Sequence, residues 1–180
     1  MKELSLNILD ISENSTKAGA TLVEIIITED TETLKIEIKD NGHGMTPDVL
    51  STVTNPFYTT RTTRKVGMGI PLFKFAAEQT GGTLDIKSRH IDDYPDGHGT
   101  VVTALFHKTH IDFTPLGDVI STVVTLIQGH PTVDFLFIHI MEDKKITLDT
   151  REIRAVLENI PLDSFEILNW IRENLAEQYG

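Results

Sequence analysis

The stretch Asp-Asn-Gly-His-Gly-Met at 40–45 (DNGHGM) decides the fold of this 180-residue chain. It directly follows residues 33–39 (TLKIEIK), whose apolar and charged side chains alternate as they do in a half-buried strand. Gly42 and Gly44 break any regular element after that strand. The pattern therefore predicts that the Asp40 carboxylate stands at a strand end, beside backbone that glycine allows to approach a ligand closely.

A helix is predicted upstream of this strand, over residues 3–18, because its apolar positions recur with helical spacing on one face. Asp10, Asn14 and Lys17 fall together on a different face, at i, i+4 and i+7. One face of the helix would therefore pack, while the other presents polar groups.

These residue types meet the needs of a nucleoside triphosphate. Its phosphates need a magnesium ligand, a cation and nearby backbone N–H groups, and a purine amino group needs an acceptor. The chain offers Asn14 and Lys17 on the predicted helix, Asp40 at the strand end, and Gly67-Met68-Gly69 at the start of a further helix.

Five segments resemble, in order, the characteristic boxes of the GHKL ATPase superfamily, which includes sensor histidine kinases, MutL, gyrase B and Hsp90. They are ENSTKAGAT at 13–21, DNGHGM at 40–45, NPFYTTR at 55–61, GMGI at 67–70 and GHGT at 97–100. The resemblance covers about residues 4–107, and its later boxes are most similar to those of histidine kinases. It implies the Bergerat fold, an α+β two-layer sandwich with a mixed sheet.

The resemblance also implies roles for individual residues, with ATP and Mg²⁺ as cofactors. By position, it implies a magnesium ligand at Asn14, phosphate contacts from Lys17, Arg61, Gly67, Met68 and Gly69, an adenine acceptor at Asp40, and a base pocket shaped by Gly42, Gly44, Met45 and Thr100. For Arg64 and Lys65, a solvated surface charge is an equally good interpretation.

Asp10 departs from the family pattern. Hydrolysing members have Glu four residues before the magnesium Asn, and histidine kinases usually have Asn there. Asp has the chemistry of a general base, although it is one methylene shorter than Glu. It could instead serve as a second magnesium ligand. Asp10 is therefore the candidate catalytic residue; it is compatible with slow hydrolysis, while fast turnover is not indicated.

Two function classes remain open at this point. The chain begins almost at the first box, so we expect no helical hairpin with a phosphoacceptor His and no self-phosphorylation by the usual route. The pair His107 and His110 has no partners at metal-ligand spacing, and surface positions are expected for both. The chain is either a stand-alone signalling kinase or slow ATPase acting on a partner protein, or a non-catalytic, ATP-dependent regulatory module.

Composition limits the class of partner and the cellular compartment that the chain fits. The net charge of −11 argues against a nucleic acid or an anionic membrane as partner. No apolar run approaches the roughly 20 residues of a membrane span, the N-terminus does not resemble a signal peptide, and cysteine is absent. We expect a cytoplasmic protein whose partners are ATP and an unidentified protein.

The chain divides at residue 107 into the nucleotide-binding domain, 1–107, and an extension of unknown role, 108–180. The extension is expected to join the same body, or else to form a small interaction domain. Its predicted elements are an amphipathic helix over 116–127, a strand buried on both faces at 133–141, a short strand at 146–148, and two helices with capping boxes, Asp149 to Glu152 and Asp163 to Glu166.

Overall fold

A computed structural model describes residues 3–54 and 68–180 of the chain. These residues form helices and strands in an order that begins with a helix and a hairpin. The elements are α1 (Leu4–Lys17), β1 (Leu22–Glu29), β2 (Thr33–Asp40), α2 (Pro47–Thr52), α3 (Gly69–Gln79), β3 (Thr83–Arg89), β4 (Gly99–His107), α4 (Val119–Gly129), β5 (Asp134–Ile140), β6 (Lys145–Asp149), α5 (Thr150–Leu157) and α6 (Phe165–Tyr179).

The strands form one six-stranded sheet in the order β3-β4-β2-β1-β5-β6. Every neighbouring pair is antiparallel except β1 and β5, which run parallel with Val23 opposite Phe135. The sheet is therefore mixed, and with helices packed against it the predicted α+β two-layer sandwich is confirmed.

Alternation along the strands puts the large apolar side chains on the helix-covered face. Ile25 and Ile27 of β1 and Phe137 of β5 are fully buried there. Helix α1 packs against β1 and β2, α3 against β3 and β4, α4 against β5, and α6 against β6. Burying a side chain of this size contributes about 1.5–3 kcal/mol each relative to exposure. The position of α1 on this face is what brings its polar edge to the ends of β2 and β4.

The C-terminal segment joins the same sheet. β5 lies between β1 and β6, inside the sheet as predicted, and α4 packs against α1. The predicted burial of this strand on both faces is wrong, because only alternate residues, Phe135, Phe137 and His139, are buried. The capping box at Asp149 is confirmed in part, because its carboxylate accepts a hydrogen bond from the Arg151 N–H at the start of α5.

The second capping box was predicted one residue too early. Ser164, not Asp163, is the N-cap of α6, and it forms no side-chain cap hydrogen bond. Within residues 3–54 and 68–180, the Ser164 hydroxyl is buried without a hydrogen-bond partner. The Ser164 N–H donates to the Pro161 carbonyl and closes a turn that contains Asp163, so Asp163 lies before the helix.

Candidate functional site

A pocket of about 300 Å³ opens where α1 meets the C-terminal end of β2, the start of β4 and the start of α3. Its walls are mostly apolar, with a few polar groups. The lining residues are Ile11, Asn14, Ser15, Lys17, Ala18, Ile38, Asp40, His43, Met45, Val53, Ile70, Thr100 and Val102. Five residues that the sequence singled out therefore share one pocket: Asn14, Lys17, Asp40, Met45 and Thr100.

Asp40 is held in place by two hydrogen bonds. Its Oδ2 accepts from the Ser15 hydroxyl at 2.6 Å, and its Oδ1 accepts from the Gly42 N–H at 2.9 Å. The cross-strand register also sets Asp40 directly opposite Thr100. Each carboxylate oxygen retains a lone pair after these bonds, so the group can accept a further hydrogen bond from a ligand.

Ser88 belongs to the site although the sequence did not indicate it. Its hydroxyl accepts a hydrogen bond from the Met45 N–H at 2.7 Å and lies 2.7 Å from the Thr100 hydroxyl. This serine positions both the loop after β2 and the side chain at the start of β4. Its place in the site depends on the pairing of β3 with β4, for which no local motif exists.

The two glycines of the DNGHGM stretch are required by close backbone contacts. Gly42 is buried, and a Cβ on it would come within 2.8 Å of the Ala18 carbonyl oxygen. Gly44 has φ +73°, and a Cβ there would overlap the Arg89 carbonyl. Neither position can accept a larger residue without moving the loop that borders Asp40.

Asp10 and Asn14 face the N-terminus of α3. A Cβ placed on Gly69 would lie 3.4 Å from the Asp10 Cβ and 3.9 Å from the Asn14 Nδ2. Partial burial raises the pKa of Asp10, the nearby Lys17 ammonium group partly offsets this rise, and Glu13 adds to it. A carboxylate and an amide thus stand beside the positive end of a helix dipole.

The remaining predicted site residues are less directly placed. Lys17 is exposed at the end of α1, and Met68 is the N-cap of α3, 39 % exposed and outside the pocket lining. Arg61 and Gly67 lie outside the described residues. The proposed roles of all these residues stay predictions.

Asn41, by contrast, was not singled out and proves to be structural. Its Oδ1 accepts hydrogen bonds from the Thr21 and Leu22 N–H groups at 2.8 and 3.0 Å, joining the start of β1 to the end of β2.

In the part of the chain that the structure describes, no group of three or more His, Asp or Glu side chains could hold a metal ion. No helix among these residues is both long and apolar enough for a membrane span.

The fold and the pocket together define a class of protein, the GHKL sandwich with its site between the first helix and the central strands. A family model, described as the histidine kinase-, DNA gyrase B- and HSP90-like ATPases, matches residues 1–110. The chain belongs to this family.

Comparison with individual proteins agrees with this membership. Sporulation kinase A of Bacillus subtilis (strain 168) is 31% identical over 108 residues, which are 60% of this chain and 16% of the relative. The chain thus spans only a small part of the length of this curated relative.

Two solved structures show the same fold. The N-terminal domain of a DNA repair protein aligns with a TM-score of 0.58 and 18% identity, over 83% of this chain and 53% of that one. The Aquifex aeolicus MutL ATPase domain, complexed with ADP, aligns with a TM-score of 0.57 and 16% identity, over 88% of this chain and 70% of that one.

Proposed function

We propose that this protein binds ATP with Mg²⁺ in the pocket and uses it as a signalling kinase or slow ATPase that acts on a partner protein. The observation that carries this proposal is the Asp40 carboxylate, fixed by two hydrogen bonds at the wall of an apolar pocket of about 300 Å³ that Asn14 also lines.

The pocket fits a purine base. Ile38, Ile70 and Val102 supply apolar walls for the faces of a flat ring, and Asp40 supplies the acceptor that an exocyclic amino group needs. The close contact of Gly42 with Ala18 leaves no room for a side chain, so the base edge can reach the carboxylate. A half-buried, oriented acceptor of this kind would favour adenine over a base that carries a carbonyl group there.

The polar edge of α1 fits magnesium and phosphate. Mg²⁺ prefers oxygen ligands in octahedral geometry and is usually held by few protein groups together with substrate phosphates. The Asn14 amide oxygen is such a ligand, and Lys17 supplies a cation. The N–H groups at the start of α3, next to Asn14, suit the anionic phosphates.

Asp10 is the proposed proton acceptor. Because its pKa is raised, its carboxylate is a stronger base than that of an ordinary Asp. It would accept the proton of a water molecule or of a partner's hydroxyl as that oxygen attacks the γ-phosphorus of ATP and ADP leaves. The name of one curated relative, sporulation kinase A, supports phosphate transfer to a partner. A purely regulatory, ATP-dependent module is the alternative.

Calorimetric titration with ATP, in the presence and absence of Mg²⁺, tests the binding proposal. Asp40→Asn should lower affinity by roughly ten- to a hundredfold, because a hydrogen bond to a charged group contributes about 1.5–3 kcal/mol. Asn14→Ala should weaken binding only when Mg²⁺ is present. Asp143→Asn, in the exposed turn between β5 and β6, is the matched control and should bind like the wild type. No binding of ATP by the wild type would overturn the proposal.

A further inference from the structure

A second apolar concavity lies between α5 and α6, on the C-terminal segment and away from the pocket described above. It is a groove of about 470 Å³, lined by Glu152, Ile153, Val156, Leu157, Ile167 and Trp170. Val156 is 81 % exposed and Trp170 is 50 % exposed, and Phe165 at the start of α6 is 79 % exposed. Large apolar side chains grouped on a surface in this way mark interaction sites.

The surroundings of the groove are acidic. Carboxylates occur along α5, in the turn after it and along α6. They are Glu152, Glu158, Asp163, Glu166, Glu173 and Glu177. Within residues 3–54 and 68–180, Glu152, Glu158, Asp163 and Glu166 form no ion pair.

The cations of the same segment do not neutralise these carboxylates, because each binds a partner elsewhere. Arg151 contacts Asp149 at 2.8 Å, Arg154 contacts Asp134 at 2.7 Å, and Arg172 donates to the Ser121 hydroxyl at 3.1 Å. The groove therefore combines an apolar floor with negative charge at its border.

We propose that this groove binds an amphipathic helix of a partner protein, one whose apolar side chains enter the groove and whose Lys and Arg side chains face the acidic border. Helices bind grooves of this kind through apolar side chains at i, i+3 or i+4, and i+7. Opposite charges around the groove would orient the helix and speed its association. The inference rests on the proposed function for the existence of a partner, but it does not depend on the nucleotide.

The charge pattern disfavours the other occupants. A second copy of this chain, packed groove to groove by two-fold symmetry, would bring two acidic borders together. An anionic lipid surface would meet the same repulsion. A basic helix would not be repelled by the acidic border in either way.

Trp170 supplies the readout, because it is the single tryptophan of the chain and lines the groove. The probe is a synthetic amphipathic peptide of about four helical turns with leucine at i, i+3 and i+7 and lysine between. A second peptide has glutamate in place of lysine. The lysine peptide should shift Trp170 emission to shorter wavelength with saturation, and its affinity should fall as salt rises. The glutamate peptide should have no effect.

Three variants distinguish binding in the groove from non-specific attraction between a basic peptide and an acidic protein. Val156→Asn, at an exposed position, should weaken binding at least fivefold. The pair Glu152→Lys and Glu166→Lys should weaken it at least tenfold. The pair Glu142→Lys and Asp143→Lys, in the exposed turn between β5 and β6, changes charge equally and should stay within twofold of the wild type.

Several results would overturn the proposal. These are equal binding of the glutamate peptide, equal losses from the two charge-reversal pairs, an emission shift on vesicles of phosphatidylglycerol and phosphatidylcholine, or a dimer in sedimentation that Val156→Asn dissociates. The Asp40→Asn protein should bind the lysine peptide normally. Failure of peptide binding in a protein that binds ATP therefore rejects the groove alone, and the reverse result rejects the nucleotide proposal alone.

Discussion

At the level of single residues, the site divides into groups that a local motif specifies and groups that it does not. Asp40 and Gly42 are two residues apart and bond to each other, so the motif contains their geometry. Asn14 and Lys17 follow from helical spacing. Ser88 was missed, because it joins Met45 and Thr100 only after β3 has paired with β4.

Asp10→Asn should lower phosphate release or transfer by about 10²–10⁴-fold, the usual contribution of a general base. ATP affinity should change little, because the substitution keeps the size of the side chain. Since partial burial raises the pKa of Asp10, wild-type activity should decline with falling pH at a higher pH than an ordinary Asp would give. Single-turnover rates across pH measure this. An unchanged rate in Asp10→Asn would contradict the base role, whereas no phosphate release or transfer by the wild type would favour the regulatory module.

Gly44→Ala should destabilise the protein and weaken ATP binding together. The new Cβ would overlap the Arg89 carbonyl, in addition to the strain of φ +73°. Strain of this kind costs about 1–3 kcal/mol. Gly97→Ala is the matched control, because Gly97 has φ +85° with nothing within 4 Å of its Cβ position. Chemical denaturation should show the larger loss for Gly44→Ala; equal losses would mean that the Arg89 contact has no effect.

At the level of helices and strands, periodicity predicted most elements but not the contacts between distant ones. A hydrogen-bonded network of polar side chains, at the end of β1 that lies far from the pocket, illustrates this. Glu29 accepts a hydrogen bond from Lys108 at 2.7 Å, and the His139 ring bonds Glu29 at 2.8 Å and the Tyr179 hydroxyl at 2.6 Å. His139 is 2 % exposed. Its burial follows from the register of β5 beside β1 and from the packing of α6, and the sequence around residue 139 indicates neither of them.

This chain of contacts should make stability depend on pH. Burial lowers the pKa of His139 below its ordinary 6.5, although Glu29 opposes the shift. Burial alone would raise the pKa of Glu29, but hydrogen bonds from Lys108 and His139 outweigh it and lower that pKa. Both folded-state values are depressed, so both groups stabilise the fold above their unfolded pKa. That stabilisation is lost as pH falls, first for His139 below about 6.5 and then for Glu29.

The measurement is the free energy of unfolding of wild type and His139→Gln between pH 7.5 and 5. The wild type should lose more stability than the variant over this range, because the variant lacks the titrating ring. His110→Gln is the control, since His110 is exposed, and its pH profile should follow the wild type. Parallel profiles for wild type and His139→Gln would show that the ring titrates normally.

For the molecule as a whole, the family match ends at residue 110 while the sheet does not. β1 has β2 on one side and β5 on the other, so the segment after the match completes the central part of the sheet. The sequence predicted that strand, because its residues are strongly apolar, but the predicted burial on both faces is wrong, since only alternate residues of β5 are buried. It could not predict the parallel partner, since pairing across more than a hundred residues has no local pattern.

A chain truncated after His110 should therefore fail to form a stable monomer. It would leave the Val- and Ile-rich β1 as an open edge and expose Ile25 and Ile27, which are fully buried in the complete protein. Light scattering and circular dichroism of the truncated chain should show aggregation or loss of cooperative unfolding. A soluble, cooperatively unfolding fragment would show that the C-terminal segment is dispensable.

The parallel pairing of β1 with β5 also has a consequence for biosynthesis. A ribosome makes β1 long before β5, and at about 5–20 residues per second the delay lasts several seconds. During that interval the nascent polypeptide presents an apolar strand edge with no partner of its own. Until residue 140 has left the exit tunnel, this edge is open to pairing with other chains. The strand order therefore predicts that a chaperone bound to the nascent chain would reduce aggregation.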